Sequence, residues 1–147
     1  MTTKDFIEQR IITAVRGLLT GRVNEILQRW EFVLPVIEFG AISSHYVSAP
    51  EITLTGCERT EKERIIRLDT YSMTITFSFV ENPESELHCY AYSGAVGRAF
   101  YDDPTLGGIA DRAVITNKKY IPPKKPHCGE GWGLVITLRI TVEEMEK

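Results

Sequence analysis

Two adjacent histidine and cysteine pairs are the first residues whose types could do chemistry, since imidazole and thiolate are preferred zinc ligands. The pairs are His88-Cys89 and His127-Cys128. Their spacing matches no zinc-finger pattern, and neighbouring side chains point about 100° apart on a helix and to opposite faces of a strand. Neither pair can chelate one ion easily. We therefore predict no metal site, with a small buried Cys89 on a helix and Cys128 in a loop.

The sequence contains residues that occur in catalytic and phosphate-binding sites, but the residues around them do not match those sites. A cysteine nucleophile needs a nearby base and a third group that orients it. The available histidines, His45, His88 and His127, lie in no recognisable nucleophile motif. The glycines at 129, 131 and 133 resemble a phosphate loop, but a strand-like run follows them instead of a helix N-terminus. The sequence therefore predicts neither an enzyme nor a bound cofactor.

An acidic group at the end of a predicted helix is also a weak candidate for cation binding. Asp102, Asp103 and Asp111 lack the alternating acidic positions of a calcium-binding loop. We expect Asp102 and Asp103 to be solvated carboxylates at the helix end, where they are available for contacts between proteins.

Length and composition are those of one globular domain over residues 1–147. The chain has 147 residues, is 43% hydrophobic and carries a net charge of -3, which argues against a protein that coats DNA. No apolar run suggests a signal peptide or a membrane span. The cysteines are three and widely spaced, so we expect free thiols in a reducing cytoplasm.

The distribution of charge along the chain is more informative than its sum. Six acidic residues and one basic residue lie between Glu81 and Asp111, whereas five basic residues and no acid lie between Arg112 and Gly129. Two ordinary solvated surfaces would explain this pattern. A head-to-tail contact between copies, steered by opposite charges and closing into a ring, explains it equally well. The candidate basic contacts form a predicted loop: Lys118, Lys119, Lys124 and Lys125.

Helical spacing of apolar residues predicts two helices, and the residues of a helix start predict a third. The first covers 4–19 with Thr3 as a cap, Gly21 ends it, and a shorter helix covers 22–30. A third helix begins at Asn82-Pro83 and runs to about Tyr101. Its interior residues are small, including Gly94 and Gly97, and a close neighbour would compensate for them.

Alternation predicts the strands. Apolar and hydroxyl residues alternate over 70–80, and a second long strand covers 132–142, ahead of a solvated tail at 143–147. A shorter strand lies near 109–116, residues 120–131 are non-regular, and 40–56 is a loop with strand-like pieces near Ile52. The charged run 58–64 suits an exposed loop or the base of an arm. The order predicts an α+β domain, a mostly antiparallel sheet with helices on one face and long strands extending as a β-arm.

The alternation reverses its phase just before the first long strand. Ile66 and Leu68 are apolar on the parity that later carries hydroxyls, while Arg67 and Asp69 take the other parity. We infer a β-bulge or a change of environment near Asp69. Ile66 and Leu68 then become candidates for an apolar contact with another subunit.

Several stretches together resemble small prophage proteins of the tail terminator or tail completion type from long-tailed bacteriophages. These are GRVNEIL, VLPVIEFG, CERTEKERIIRLDTYSMTITFSF, SELHCYAY, DDPTLGGIADRAVITNKKYIPPKK and CGEGWGLVITLRITVE. The sharpest element is an acidic helix end followed by TLGG, a strand, a loop and a long last strand. This layout is similar to that of neck-region proteins.

The resemblance implies a structural protein without catalytic chemistry. It implies a homo-oligomer, a hexameric ring, that caps the tail tube, ends its polymerisation and presents a surface to the head-tail connector. The partners would be the tail tube protein and the connector, and the location the virion tail, assembled in the host bacterial cytoplasm. No membrane and no specific nucleic acid are expected as partners.

Three alternatives remain open at this point. The chain could be another neck or minor tail structural protein. It could be a weak nucleic-acid-binding module that uses Lys118 to Lys125 with Tyr120 as a stacking residue. An enzyme with a cysteine or histidine centre would require unusual reactivity at Cys89 or Cys128.

Overall fold

Four antiparallel strands and three α-helices make up the described parts of the chain, which are residues 6–30, 37, 50–63, 66–80, 83–124 and 130–145 of a computed structural model. The helices are α1 (Ile7–Leu18), α2 (Asn24–Arg29) and α3 (Ser85–Asp102). The strands are β1 (Glu51–Glu63), β2 (Ile66–Val80), β3 (Arg112–Ile121) and β4 (Glu130–Met145). They pair in the order β1-β2-β4-β3, which confirms the α+β class and the antiparallel sheet.

The helices pack on one face of this sheet. The side chains of β2 and β4 that point to them are buried: Tyr71, Met73, Ile75, Phe77, Phe79, Leu134, Ile136, Leu138, Ile140 and Val142. They form one cluster with buried residues of the helices, such as Ile11 and Tyr92. The hydroxyl residues of β2 alternate with them and lie half-buried on the opposite face, which we call the uncovered face.

The N-terminal helices do not separate at Gly21, contrary to the sequence prediction. A π-helical turn, Leu19–Val23, joins α1 directly to α2, and both of its terminal residues are buried. The wider turn keeps the backbone helical while Leu19 and Val23 both face the core, so a glycine here need not end the helix. The side chain of Asn24 then binds the backbone of Ile37 at both polar groups. Its amide oxygen accepts from the Ile37 N–H (2.6 Å), and its amide nitrogen donates to the Ile37 carbonyl (2.8 Å).

Three strands are longer than their sequence patterns suggested. Residues 51–63 form β1, which confirms the strand-like piece expected near Ile52. The loop expected around it through residue 56 is wrong, and 58–63 is strand as well. β3 begins at Arg112 and continues to Ile121, and β4 includes residues 143–145 of the expected tail. Each extension is paired with a neighbouring strand, and this pairing overrides the polar composition.

Of the two alternatives expected near Asp69, a β-bulge or a change of environment, the bulge is wrong and the change of environment holds. β2 pairs without a register shift through Asp69 with both β1 and β4. The register shifts lie elsewhere: between Leu54 and Gly56 and between Glu61 and Glu63 of β1, between Ser78 and Val80 of β2, and between Ile115 and Asn117 of β3. The strand is therefore continuous where the pattern reverses. Asp69 points to the helix-covered face, as Tyr71 does, and it is buried there by its contacts.

Helix α3 begins at Ser85, later than the predicted start at Asn82. Pro83 and Glu84 form a turn instead, which the same residue types favour. The small residues divide by position, because Ala95 faces the core whereas Gly94 and Gly97 lie on the flanks of the helix. None of the described helices combines the length and apolar character that crossing a bilayer requires.

Candidate functional site

The outer strand β3 carries the positive charge that the sequence placed in a loop. Lys118 and Lys119 lie on this strand, so their expected loop position is wrong. The register shift at Thr116 reverses the alternation, which sends Lys118 to the helix-covered side and leaves Lys119 exposed on the uncovered face. Arg112, at the start of the strand, is exposed on the same face as Lys119.

Lys118 is committed to its own chain. Its Nζ donates to the carbonyl oxygen of Ser93 on α3 at 3.0 Å. The same Nζ lies 3.0 Å from where a Cβ on Gly97 would stand, so the glycine makes room for the ammonium group. Lys118 therefore fastens β3 to α3, which leaves Lys119 as the exposed lysine of the strand.

Tyr120 makes a second contact between β3 and α3. Its hydroxyl lies 2.8 Å from the Ser93 hydroxyl, and its ring meets that of Tyr90 edge-on with centroids 5.6 Å apart. The nucleic-acid alternative requires the Tyr120 ring to stack on a base. These contacts with Ser93 and Tyr90 already occupy one edge of that ring. Lys124 is exposed just beyond β3, and Lys125 lies outside the described residues.

The acidic end of α3 is partly neutralised by other elements. Arg22 Nη2 donates to Asp102 Oδ2 at 2.9 Å, and Arg98 Nε lies 3.3 Å from Asp102 Oδ1. The hydrogen bond from Arg22 holds the pKa of the Asp102 carboxyl below its usual value. Asp103 Oδ1 accepts from the Gly107 N–H at 3.1 Å, in a turn where Gly107 has a φ of 69°. Both carboxylates therefore have structural partners, while Asp102 remains exposed, as expected of a solvated group.

The other outer strand, β1, carries mainly negative charge. Its glutamates at 51, 58 and 61 are exposed, and Glu61 accepts from Arg67 at 3.1 Å. Its Arg59 forms a two-point contact with Asp69 on β2, Nε to Oδ1 at 2.6 Å and Nη2 to Oδ2 at 2.8 Å. Asp69 is only 2% exposed, so this pair explains why a carboxylate stands on the helix-covered face.

Ile66 and Leu68 lie on the uncovered face, as their parity suggested, and are half-buried. Leu68 stands opposite Thr60 of β1 and Glu143 of β4. One strand, β4, lies between these residues and β3, so the structure does not bring them together with Lys119. The candidate residues are therefore spread over the sheet and the end of α3, and they do not converge on one pocket.

A groove separates the second half of α3 from β3. Its volume is about 410 Å³, and its lining includes Phe100 and Tyr101 from the helix with Ala113 and Ile115 from the strand. Arg112 also lines it. Tyr101 is 82% exposed, which makes it the most exposed large apolar side chain in the described part of the chain.

The histidine and cysteine at 88 and 89 are buried on α3, as expected for Cys89. Burial lowers the pKa of His88 and raises the pKa of the Cys89 thiol to about 11, and Cys89 Sγ lies 3.7 Å from the Gly133 carbonyl. Cys57 is exposed on β1. The described residues contain no cluster of three or more possible metal ligands, and His45, His127 and Cys128 lie outside them.

Two ion pairs, Arg22–Asp102 and Arg59–Asp69, were not predicted from the sequence. Arg22 and Asp102 are 80 positions apart, and nothing local signals their contact. The Arg59–Asp69 pair had a signal, because Asp69 occupies the parity of the apolar residues in β2 and a buried carboxylate needs a partner. Neither the protein-family models nor the curated proteins compared with this sequence give a match.

Proposed function

We propose that this chain is a structural virion protein of a prophage, a tail terminator that caps the tail tube by assembling into a ring of six copies. The six sequence stretches that resemble tail terminator or tail completion proteins support this proposal. The structural observation that carries it is the opposite charge of the two outer strands of the sheet.

The charges of the two edges favour a head-to-tail contact. β3 holds Arg112, Lys118 and Lys119 and no acidic residue, whereas β1 contains four glutamates against two basic residues, Arg59, which Asp69 holds, and Lys62. Two β3 edges repel each other, as do two β1 edges, while β1 of one copy attracts β3 of the next. A contact between different surfaces propagates in one direction and closes into a ring when the rotation permits.

Such a ring would act by shape and charge alone. One surface binds the last ring of tail tube protein and stops further addition, and the other receives the head-tail connector. No bond is made or broken, so the relevant measurements are assembly and tube length. The particle is built in the host bacterial cytoplasm and ends as part of the virion tail.

The direct test is to image the purified chain with the tail tube protein of the same prophage. We expect rings, alone or at one end of each tube, and tubes of limited length when the chain is present. A chain that stays monomeric at its highest soluble concentration and leaves tube length unchanged contradicts the proposal.

Charge reversal tests the observation that carries the proposal. Arg112→Glu with Lys119→Glu should weaken assembly at least tenfold, since each exposed charge pair contributes roughly 0.2–1 kcal/mol and reversal turns attraction into repulsion. Adding Glu51→Lys and Glu58→Lys to the same chain should restore assembly. Light scattering at low and high salt is the measurement, and an unchanged assembly constant in the first variant contradicts the charge argument.

A further inference from the structure

The groove between α3 and β3 is an incomplete part of the apolar core. Ile115 packs against the core cluster but is only half-buried, because no strand lies beyond β3 among the described residues. Phe100 of α3 is buried beside it, and Tyr101 stands exposed at the rim. The groove thus offers apolar surface on the helix-covered side of a sheet edge.

The opposite edge of the sheet carries side chains that suit this groove. Ile52 and Leu54 of β1 stand opposite Ile75 and Met73 of β2, so they point to the helix-covered side. Like Ile115, they pack on the core cluster and are half-buried. A groove of about 410 Å³ has room for two aliphatic side chains.

Charge selects which edge can enter. Glu51, next to Ile52, is acidic and exposed, and Arg112, next to the groove residue Ala113, is basic and exposed; both side chains lie on the uncovered face, so they can meet when β1 of one copy approaches β3 of the next. The reverse combination, groove against groove, brings the basic residues of two β3 strands together. The groove therefore fits the β1 edge of a second copy better than a second groove.

We propose that the groove between α3 and β3 receives Ile52 and Leu54 of the adjacent copy when the chain assembles head to tail. This inference rests on the proposed ring and specifies its apolar contact. Burial of half-buried side chains from both edges supplies stabilisation that does not depend on salt, in addition to the attraction between charges.

Two complementary variants test the contact. Ile115→Asp damages the groove and Leu54→Asp damages the inserting edge, so each variant alone should lose assembly by at least tenfold. An equimolar mixture should form a defined dimer, because the intact groove of the Leu54→Asp copy still accepts the intact β1 of the Ile115→Asp copy. Sedimentation velocity measures both results.

Matched controls place the same charge on the same strands but on the uncovered face. Asn117→Asp on β3 and Thr53→Asp on β1 should assemble more strongly than Ile115→Asp and Leu54→Asp. Tyr101→Glu is a second groove variant that leaves folding intact, since the side chain is 82% exposed, and it too should weaken assembly.

The outcomes separate this inference from the ring itself. If Tyr101→Glu and Leu54→Asp assemble like the wild type while charge reversal of β3 prevents assembly, the ring stands and the groove contact is wrong. If the two variants form no dimer when mixed, although each keeps the thermal unfolding midpoint of its uncovered-face control, the contact is also wrong. A wild-type chain that forms no assembly, either alone or with the tail tube protein, contradicts both proposals.

Discussion

The two outer strands both contain register shifts, two in β1 and one in β3, yet they are held to the molecule by different contacts. Contacts with α3 hold β3 in place, because Lys118 and Tyr120 both bind Ser93 of that helix. β1 is exposed from residue 55 to residue 61, and an ion pair within the sheet, Arg59 to Asp69, holds this part. Helix contacts thus secure one edge, and a cross-strand charge pair secures the other.

This difference determines which charges each edge can offer to a partner. Anchoring β3 uses one of its three cations, so Arg112 and Lys119 remain exposed. Anchoring β1 uses its Arg59, which leaves the strand with exposed glutamates. The way each strand is held therefore increases the contrast between a basic edge and an acidic edge.

Arg59→Ala is the change with the largest expected effect on this comparison. It leaves a buried Asp69 carboxylate without its two-point partner, and we expect the free energy of unfolding to fall by about 3 kcal/mol. Urea unfolding followed by tryptophan fluorescence measures the loss.

The matched control removes the exposed arginine of the other edge. Arg112→Ala should change the free energy of unfolding by less than about 0.5 kcal/mol, because a surface substitution away from such a pair has little effect. Similar losses for the two variants would mean that β1 does not depend on its charge pair.

Tyr120→Phe tests the anchor of β3 and should have a smaller effect. It removes the hydrogen bond between the Tyr120 and Ser93 hydroxyls but keeps the ring against Tyr90, so we expect a loss of about 1 kcal/mol. Tyr101→Phe is the control, since that side chain is almost fully exposed. Equal unfolding midpoints for the two variants would show that the hydroxyl contact contributes nothing to stability.

Periodicity predicted the elements that bury one face. The alternation over 70–80 and 132–142 identified β2 and β4, helical spacing identified α1 and α2, and the residues of a helix start identified α3. The same reasoning failed for β1 and for the ends of β3 and β4, because their residues 58–63, 117–121 and 143–145 are polar or unpatterned. Pairing with a neighbouring strand supplies what the local sequence lacks, and no local pattern reports it.

The candidate contacts were predicted by residue type but not by environment. Lys118 and Lys119 are adjacent and chemically alike, yet the shift at Thr116 reverses the alternation and turns Lys118 toward α3. A shift of one residue has no signature in composition. Asp102 depends on Arg22, which lies far away in the sequence, so its neutralisation could not be read from the acidic segment around it.

Arg22→Gln extends the comparison to the helix that holds β3, and we expect its effect to be the smallest. Arg22 lowers the pKa of the Asp102 carboxyl, so this contact stabilises the fold above the unfolded-state pKa of about 3.9 and is lost as the pH falls through the lower folded-state pKa. In Arg22→Gln the Asp102 carboxyl should titrate nearer to 3.9, and the variant should lose less stability than the wild type below about pH 4. Carboxyl chemical shifts in an NMR titration give the pKa, with Glu25→Gln as the control that removes the other partner of Arg22. An unchanged Asp102 midpoint in Arg22→Gln would mean that Arg98, at 3.3 Å, is sufficient to lower the pKa of this carboxyl. The end of α3 would then depend less on the N-terminal helices than β3 depends on α3.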